Sequence, residues 1–239
     1  MNNQIINNLY EFWKHIGKLS NTLIETELYS AVSMDNSDWP NRIFDFKQDY
    51  DSIEKIKKLS KNNQLPSIVT FTKPHRLTKA SDLEFVFGQK NMAFKLDLFS
   101  DKSVPNPKIK RVKTEKEAIA FANTASKSFG YYVDQQVIFE IVKKSKTVRL
   151  FTYDEGVECL ACGMVFFDSN NNAGLHMIGT LPKVRGKGIG KSMTEKLLTE
   201  AKESFATICV LNASLMGEPI YARLGFKSYG EIETYRIIK

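Results

Sequence analysis

Apolar residues recur along this chain with two periods, and the alternation between them marks out its elements. Near the start, Leu9, Phe12, Trp13, Ile16 and Leu23 recur at helical spacing and predict a first amphipathic helix. A second is expected from Tyr50 to Lys61, where Ile53, Ile56 and Leu59 share a face. Short apolar runs at Ser67–Thr72 and Met92–Phe99 read as strands. Val104-Pro105-Asn106-Pro107 is stiff and cannot continue a helix, so it is expected to link two segments, 1–105 and 106–239. Beyond it, Ile109–Lys113 reads as a short strand. Thr114-x-x-Glu117 is a capping-box signature ahead of Ala118, Ile119, Ala122, Ala125 and Phe129, and Gly130 stops that helix. Three strand-like runs follow, Thr147–Tyr153, Val157–Phe167 and Ala173–Leu181. The first two end at Asp154-Glu155-Gly156 and Asp168–Asn172, short turns that predict antiparallel pairing. Next, Ile189, Met193, Leu197 and Ala201 line one stripe of a helix, and Ala206–Asn212 reads as a further strand. The pattern as a whole is mixed α and β.

Composition narrows the class. The apolar and charged fractions, 42% and 26%, are those of a soluble globular protein. No apolar run approaches the roughly 18 residues of a membrane span. The first residues, MNNQIINNLY, lack the basic region and apolar core of an export signal. With three cysteines, the expectation is a cytoplasmic protein with reduced thiols. Cys159 and Cys162 form a C-x-x-C inside a strand, where residues three apart face opposite ways, and no fitting histidines accompany them. They read as structural cysteines, with no metal site expected. His75, beside Pro74, reads as a loop histidine.

The net charge of +7 is uneven: residues 1–105 carry 14 basic and 13 acidic side chains, residues 106–239 carry 20 and 14. The excess is scattered, without a basic block or interleaved aromatics, so a nucleic-acid groove is not indicated. A phosphate-bearing small molecule is the better match, because of the stretch Arg185-Gly186-Lys187-Gly188-Ile189-Gly190-Lys191 between a strand and a helix. A glycine-rich turn there exposes unpaired N–H groups at a helix N-terminus, a ready phosphate site to which Arg185 and Lys187 add charge. A P-loop would need glycine at Arg185, and a dinucleotide fingerprint would need glycine at Lys191. Both miss by one residue.

What fits is R-x-x-G-x-G, on Arg185, Gly188 and Gly190, which resembles the pyrophosphate-binding motif of the GNAT superfamily of N-acetyltransferases. The preceding Met177-Ile178-Gly179-Thr180-Leu181-Pro182 looks like that family's central strand, and Gly217-x-Pro219-x-Tyr221-x-x-Leu224-Gly225-Phe226 is similar to its second cofactor motif. The resemblance spans about residues 109–239. It implies a GNAT-like, mostly antiparallel central sheet flanked by helices, and acetyl transfer from acetyl-CoA to a primary amine of a small molecule, peptide or protein, with no metal and no membrane partner. Ile178, Gly179 and Thr180 would then face the pantetheine arm, Arg185, Gly186, Lys187, Gly188, Ile189, Gly190 and Lys191 the pyrophosphate, and Asn212 and Ser214 would touch pantetheine or simply bond the turn. Tyr221 falls where the family keeps its general acid. His176 on the central strand and Glu158 on its neighbour are the competing bases. The N-terminal segment, 1–105, has no R-x-x-G-x-G; its stretch from Leu65 through Leu83-x-x-Val86-Phe87-Gly88 to Phe94 is similar to the degenerate half of tandem GNAT proteins, and an unrelated α/β domain is the alternative. A CoA-binding regulatory module without turnover is the alternative, and the acceptor is not readable.

Overall fold

The computed structural model describes residues 1–72, 82–100 and 106–238; His75 and Val104-Pro105 lie outside the described residues. In chain order the elements are α1 (Asn2–Leu19), β1 (Leu23–Glu25), β2 (Ser30–Val32), β3 (Arg42–Phe44), α2 (Tyr50–Lys61), β4 (Ile68–Phe71) and β5 (Leu83–Lys95). They continue with β6 (Ile109–Arg111), α3 (Glu115–Phe129), α4 (Gln135–Lys144), β7 (Val148–Glu155), β8 (Glu158–Phe167), β9 (Ala173–Thr180), α5 (Ile189–Glu203), β10 (Ile208–Ala213), α6 (Glu218–Arg223) and β11 (Lys227–Ile237). Among the described residues no helix is long and apolar enough to cross a membrane.

Local chemistry sets the boundaries. The Thr114 hydroxyl accepts the Glu117 N–H, and the Glu117 carboxylate accepts the N–H groups of Lys113 and Thr114, so α3 starts with both halves of a capping box. Those donors hold the Glu117 carboxyl below the usual range. The helix ends at Gly130, which takes a left-handed φ of 77°. Asp49 caps α2 by accepting the Ser52 N–H at 2.8 Å. Leu23 leaves the first helical stripe: α1 stops at Leu19, Asn21 turns the chain with φ 55°, and Leu23 opens β1. The apolar run expected at Met92–Phe99 begins earlier, at Leu83, and closes in a 3-10 turn at Leu96–Leu98. The helix α4, which hydrophobic spacing had not singled out, buries Val137, Ile138 and Ile141 behind an Asp134 cap.

All eleven strands form one sheet in the order β1-β2-β3-β4-β11-β5-β10-β9-β8-β7-β6. Most pairings are antiparallel; β10 with β9 and β3 with β4 are parallel. The sheet takes strands from both the 1–105 and the 106–239 segments. β5, from the N-terminal segment, lies between β10 and β11, pairing Lys95 with Ile208 on one side and Ala93 with Lys227 on the other. Conversely β11, the last strand, pairs with β4 of the N-terminal segment. Each segment thus completes the other's half of the sheet.

Side chains alternate between the two faces as the pleat requires. From β8, Cys162, Met164 and Phe166 enter a core with α1, α3 and α4, whereas Ala161, Val165 and Phe167 enter another with α5. A third, smaller core packs α2 on β3, β4 and β11. Fully buried Phe12, Phe121 and Phe151 each contribute roughly 1.5–3 kcal/mol of burial free energy. The helix α1 runs beneath the sheet: Asn2 accepts from Asn91 of β5, and Phe12 stacks on His176 of β9.

Candidate active site

The site is made by one strand that loses a neighbour halfway along. β9 pairs with β10 only at Ala173, Gly174 and Leu175, opposite Cys209, Val210 and Leu211. On its other side it stays paired with β8 as far as Thr180. Between these regimes is a β-bulge. His176 faces Met164 and Gly179 faces Cys162, so Met177 and Ile178 together stand opposite Gly163. Met177 takes a left-handed φ of 52°. Its carbonyl accepts from Cys162 Sγ at 3.4 Å, and its sulfur accepts from the Tyr131 hydroxyl at 3.7 Å. Past the bulge, the edge of β9 from Ile178 to Thr180 has no β10 partner, so that, apart from the Thr180 carbonyl that Arg185 holds, its outward backbone groups are open to an extended ligand.

The strand feeds a phosphate-type loop. After a 3-10 turn at Pro182–Val184, Gly186 and Gly188 take φ of 78° and 80°, a conformation costly for any side chain. Helix α5 begins at once, leaving the first N–H groups, those of Ile189, Gly190 and Lys191, at its positive end without intrahelical partners. A side chain at Gly190 would meet Thr180 and Ile220, each at 3.6 Å, so the end of β9, the start of α5 and α6 converge there. Lys187 and Lys191 are exposed beside the loop. Arg185 braces it: its Nε donates to the Thr180 carbonyl at 3.2 Å and its NH2 to the Ser128 carbonyl at 2.9 Å, at the negative end of α3.

The remaining candidates fall in three places. Tyr221 of α6 is 9% exposed and packs edge-on against Phe226 in the α5-side core. Burial raises its phenol above the ordinary value. His176 points to the opposite side, toward α1. Its ring stacks on Phe12 at 4.0 Å, and Nε2 donates to Asn8 Oδ1 at 3.2 Å. Asn8 in turn donates to Asp168 and to the Asn172 carbonyl. Burial pushes His176 down to about 3. A Cβ at Gly174 would stand 1.9 Å from Asn8 Oδ1, so only glycine lets α1 approach this closely. Glu158 is exposed at the β7–β8 turn, where both carboxylate oxygens accept from Lys183, at 2.6 and 2.7 Å. The three candidates for proton transfer are therefore not brought together. Asn212 Nδ2 donates to Asn91, its carbonyl accepts from Gln89, and Ser214 accepts the Gly217 N–H at the start of α6.

Hydrophobic spacing did not mark the bulge, because Met177 is neither glycine nor asparagine. Nor did it mark Asn8 or Tyr131, whose relation to β9 depends on contacts across long stretches of chain. The Cys159 and Cys162 thiols are raised by burial and unreactive, Cys159 to about 11.

The family model for the acetyltransferase (GNAT) domain matches residues 110–236, just over half of the chain. No curated protein matches the chain in sequence. Among solved structures the fold is similar to a GCN5-related N-acetyltransferase from Kribbella flavida, with 15% identity and TM-score 0.66 over 97% of this chain and 95% of that one. It is also similar to a GCN5-related N-acetyltransferase from Sphaerobacter thermophilus, with 11% identity and TM-score 0.61 over 82% and 71%. An acetyltransferase from the GNAT family from Colwellia psychrerythraea gives 14% identity and TM-score 0.53 over 98% and 97%. At such identities the likeness is one of fold, and in each it extends into the N-terminal segment.

Proposed function

The chain belongs to the GNAT acetyltransferase family, and from that premise we propose that it moves an acetyl group from acetyl-CoA directly onto a primary amine. The observation that carries this reading is the parting of β9 from β10 beside a loop with two left-handed glycines. The gap suits a pantetheine arm paired along Ile178, Gly179 and Thr180. The loop N–H groups suit a pyrophosphate, with Lys187 and Lys191 supplying charge and Arg185 holding the loop to α3. The N-terminal segment, lacking such a loop, acts as a diverged GNAT-like half that completes the sheet and flanks the acceptor side.

In the reaction the amine lone pair attacks the thioester carbonyl, the carbon–sulfur bond breaks, and sulfur leaves with a proton. Tyr221, protonated at neutral pH as any phenol is, supplies that proton as general acid and is reprotonated from solvent, to which the nitrogen of the intermediate loses its second proton. A lysine-like amine has a pKa of about 10.4 and must shed a proton before attack. Neither candidate base is free to take it: His176 is turned toward Asn8 and Glu158 is paired with Lys183. We assign His176 to holding α1 under the bulge, and route the amine proton to solvent at the open end of β9.

The commitment of both bases to protein partners favours one competing reading, a CoA-binding regulatory module without turnover. A screen of amines with acetyl-CoA, following thiol release, separates the two. Release that depends on an added amine supports transfer; tight acetyl-CoA binding with no release from any amine supports the module.

A further inference from the structure

β10 leaves its two neighbours at different heights. It parts from β9 after Leu211 but stays on β5 as far as Ala213, opposite Lys90. There the chain turns out of the sheet: the N–H groups of Gly217 and Glu218 both donate to the Ser214 carbonyl, and α6 follows. Gln89 Nε2 closes the strand end on the Asn212 carbonyl at 3.0 Å. On its other side β5 stays paired with β11 all the way back to Leu83. From Gln89 to Leu83, therefore, the side of β5 that β10 vacates is a second unpaired edge among the described residues, next to the gap that opens along β9. The Leu96 N–H donates to the Thr207 carbonyl on that side, so alternation along the strand turns the N–H and carbonyl of Gly88 toward the vacated position as well.

This edge is apolar as well as unpaired. Residues 84–88 are all exposed, with Phe85 at 56% and Val86 and Phe87 at 38%. Leu215 and Met216, at 86% and 66%, stand out on the turn where β10 ends. A small polar amine would leave these five side chains uncovered, whereas an extended chain satisfies the edge and covers them together. The chemistry at the bulge points the same way. His176 and Glu158 are both committed to protein partners, so the site favours an acceptor that needs no base. A lysine-like amine, with a pKa of about 10.4, is almost wholly charged at neutral pH, but a chain's α-amine, at about 7.7–8.0, is in good part neutral there.

We propose that the acceptor is the amino terminus of a peptide chain, bound as an added strand on β5 along Leu83–Gly88. Antiparallel to β5, such a strand prolongs β10, so its first residue lies at the Ala213 end and later residues pack on Phe85, Val86 and Phe87. Leu175 is level with Leu211, which puts that first residue level with the bulge of β9. The neutral α-amine forms the nitrogen–carbon bond to the thioester carbonyl and the carbon–sulfur bond breaks. Sulfur leaves with the Tyr221 proton, and the surplus proton on nitrogen goes to solvent. This step rests on the acetyl-transfer reading, but the added strand is testable without transfer.

The full-length protein with acetyl-CoA is offered pools of hexapeptides with a free amino terminus, each pool fixed at its first residue and mixed after it. The same pools blocked by amino-terminal formylation, and the matching amino-acid amides, are run beside them. At least one free pool should release thiol at least about tenfold faster than its blocked form and its amide, the scale of one or two added backbone hydrogen bonds. Mass spectrometry should place the acetyl group on the α-amine. Gly88→Pro removes an outward N–H where an edge strand tolerates proline, and should bring the peptide rate down to that of the amide. If Gly88→Pro fails to fold by circular dichroism, Phe85→Ser, which strips the apolar rim, carries the test and should reduce the preference. Hydrogen exchange with each pool and CoA, which has no acetyl group to transfer, should show protection at residues 84–88 for at least one pool. Protection without thiol release from any pool would remove the transferase reading and keep the added strand. Thiol release from amides as fast as from peptides, without protection at 84–88, would overturn the strand and keep the transferase. Protection that follows protein concentration and not peptide would give the edge to a second copy of the chain and overturn the proposal, as would a folded Gly88→Pro that keeps the full preference.

Discussion

The two halves of β9 obey different rules. Ala173, Gly174 and Leu175 are hydrogen-bonded to β8 on one side and β10 on the other, and all three are buried. Met177, Ile178 and Thr180, a few residues on, have lost β10, and their side chains are partly exposed. The first half behaves as an ordinary interior strand, whose backbone groups are all spoken for. The second half is an edge created in the middle of an eleven-stranded sheet. A single inserted residue makes the difference, and its left-handed backbone at Met177 costs roughly 1–2 kcal/mol. Contacts from Cys162 and Tyr131 hold that residue in place. The contrast teaches that the fold spends local strain where it needs an unpaired edge, and that the chemistry is to be sought there.

The sharpest way to test the open half is to remove the proton assigned to it. Tyr221→Phe keeps the ring packed on Phe226 and deletes the acid, so kcat should fall roughly 10²–10⁴-fold with acetyl-CoA affinity nearly unchanged. An unchanged kcat, measured by thiol release, would return Tyr221 to the packing of the α5-side core.

The loop comes next in size. Gly188→Val forces a branched side chain to a φ of 80° and tilts several N–H groups away from an anion. At about 1.5–3 kcal/mol per charged hydrogen bond, acetyl-CoA affinity should drop about a hundredfold or more by calorimetry, while the circular dichroism spectrum persists. Arg185→Ala should weaken binding less, because in this structure its guanidinium braces Thr180 and Ser128 and does not stand free in the loop. Equal losses from the two variants would mean that Arg185 contacts the ligand directly.

Much of this arrangement was readable from residues close in sequence. The capping box at Thr114 and Glu117, the left-handed stop at Gly130, and the glycine turn before Ile189 are local chemistry, and the structure has each of them. The fold class was legible for the same reason, since short turns between apolar runs imply antiparallel neighbours. Placing β5 between β10 and β11 was not legible: that pairing joins residues more than a hundred positions apart and leaves no local period. The bulge was hidden because Met177 carries no mark of a left-handed conformation. His176 was legible as a strand histidine, but its partner Asn8 sits on a helix 168 residues away. Without Asn8 its role could not be separated from that of a base.

A pH dependence tests the side of β9 turned toward α1. His176 is held neutral by burial, at about 3 against about 6.5 in an unfolded chain. Above 6.5 both states are neutral and stability does not depend on this group. As pH falls from 6.5 toward 3, the unfolded chain binds a proton that the folded protein refuses, so stability is lost at about 1.4 kcal/mol per pH unit. Denaturant titrations of the parent and His176→Gln should therefore diverge in slope below pH 6.5, with the parent falling more steeply. Parallel slopes would show that His176 is not held neutral. A kcat inflection near 6.5 that disappears in His176→Gln would restore it as a base.

The central claim is that the unpaired half of β9 and the glycine loop together receive the acyl donor, and amide hydrogen exchange with and without acetyl-CoA tests it most directly. Ile178, Thr180 and the amides from Gly186 to Lys191 should become protected on binding. Ala173 to Leu175, already bonded on both sides, should stay unchanged. Saturating acetyl-CoA that leaves Ile178 and Thr180 exchanging as before, or that protects residues elsewhere in their place, would contradict it.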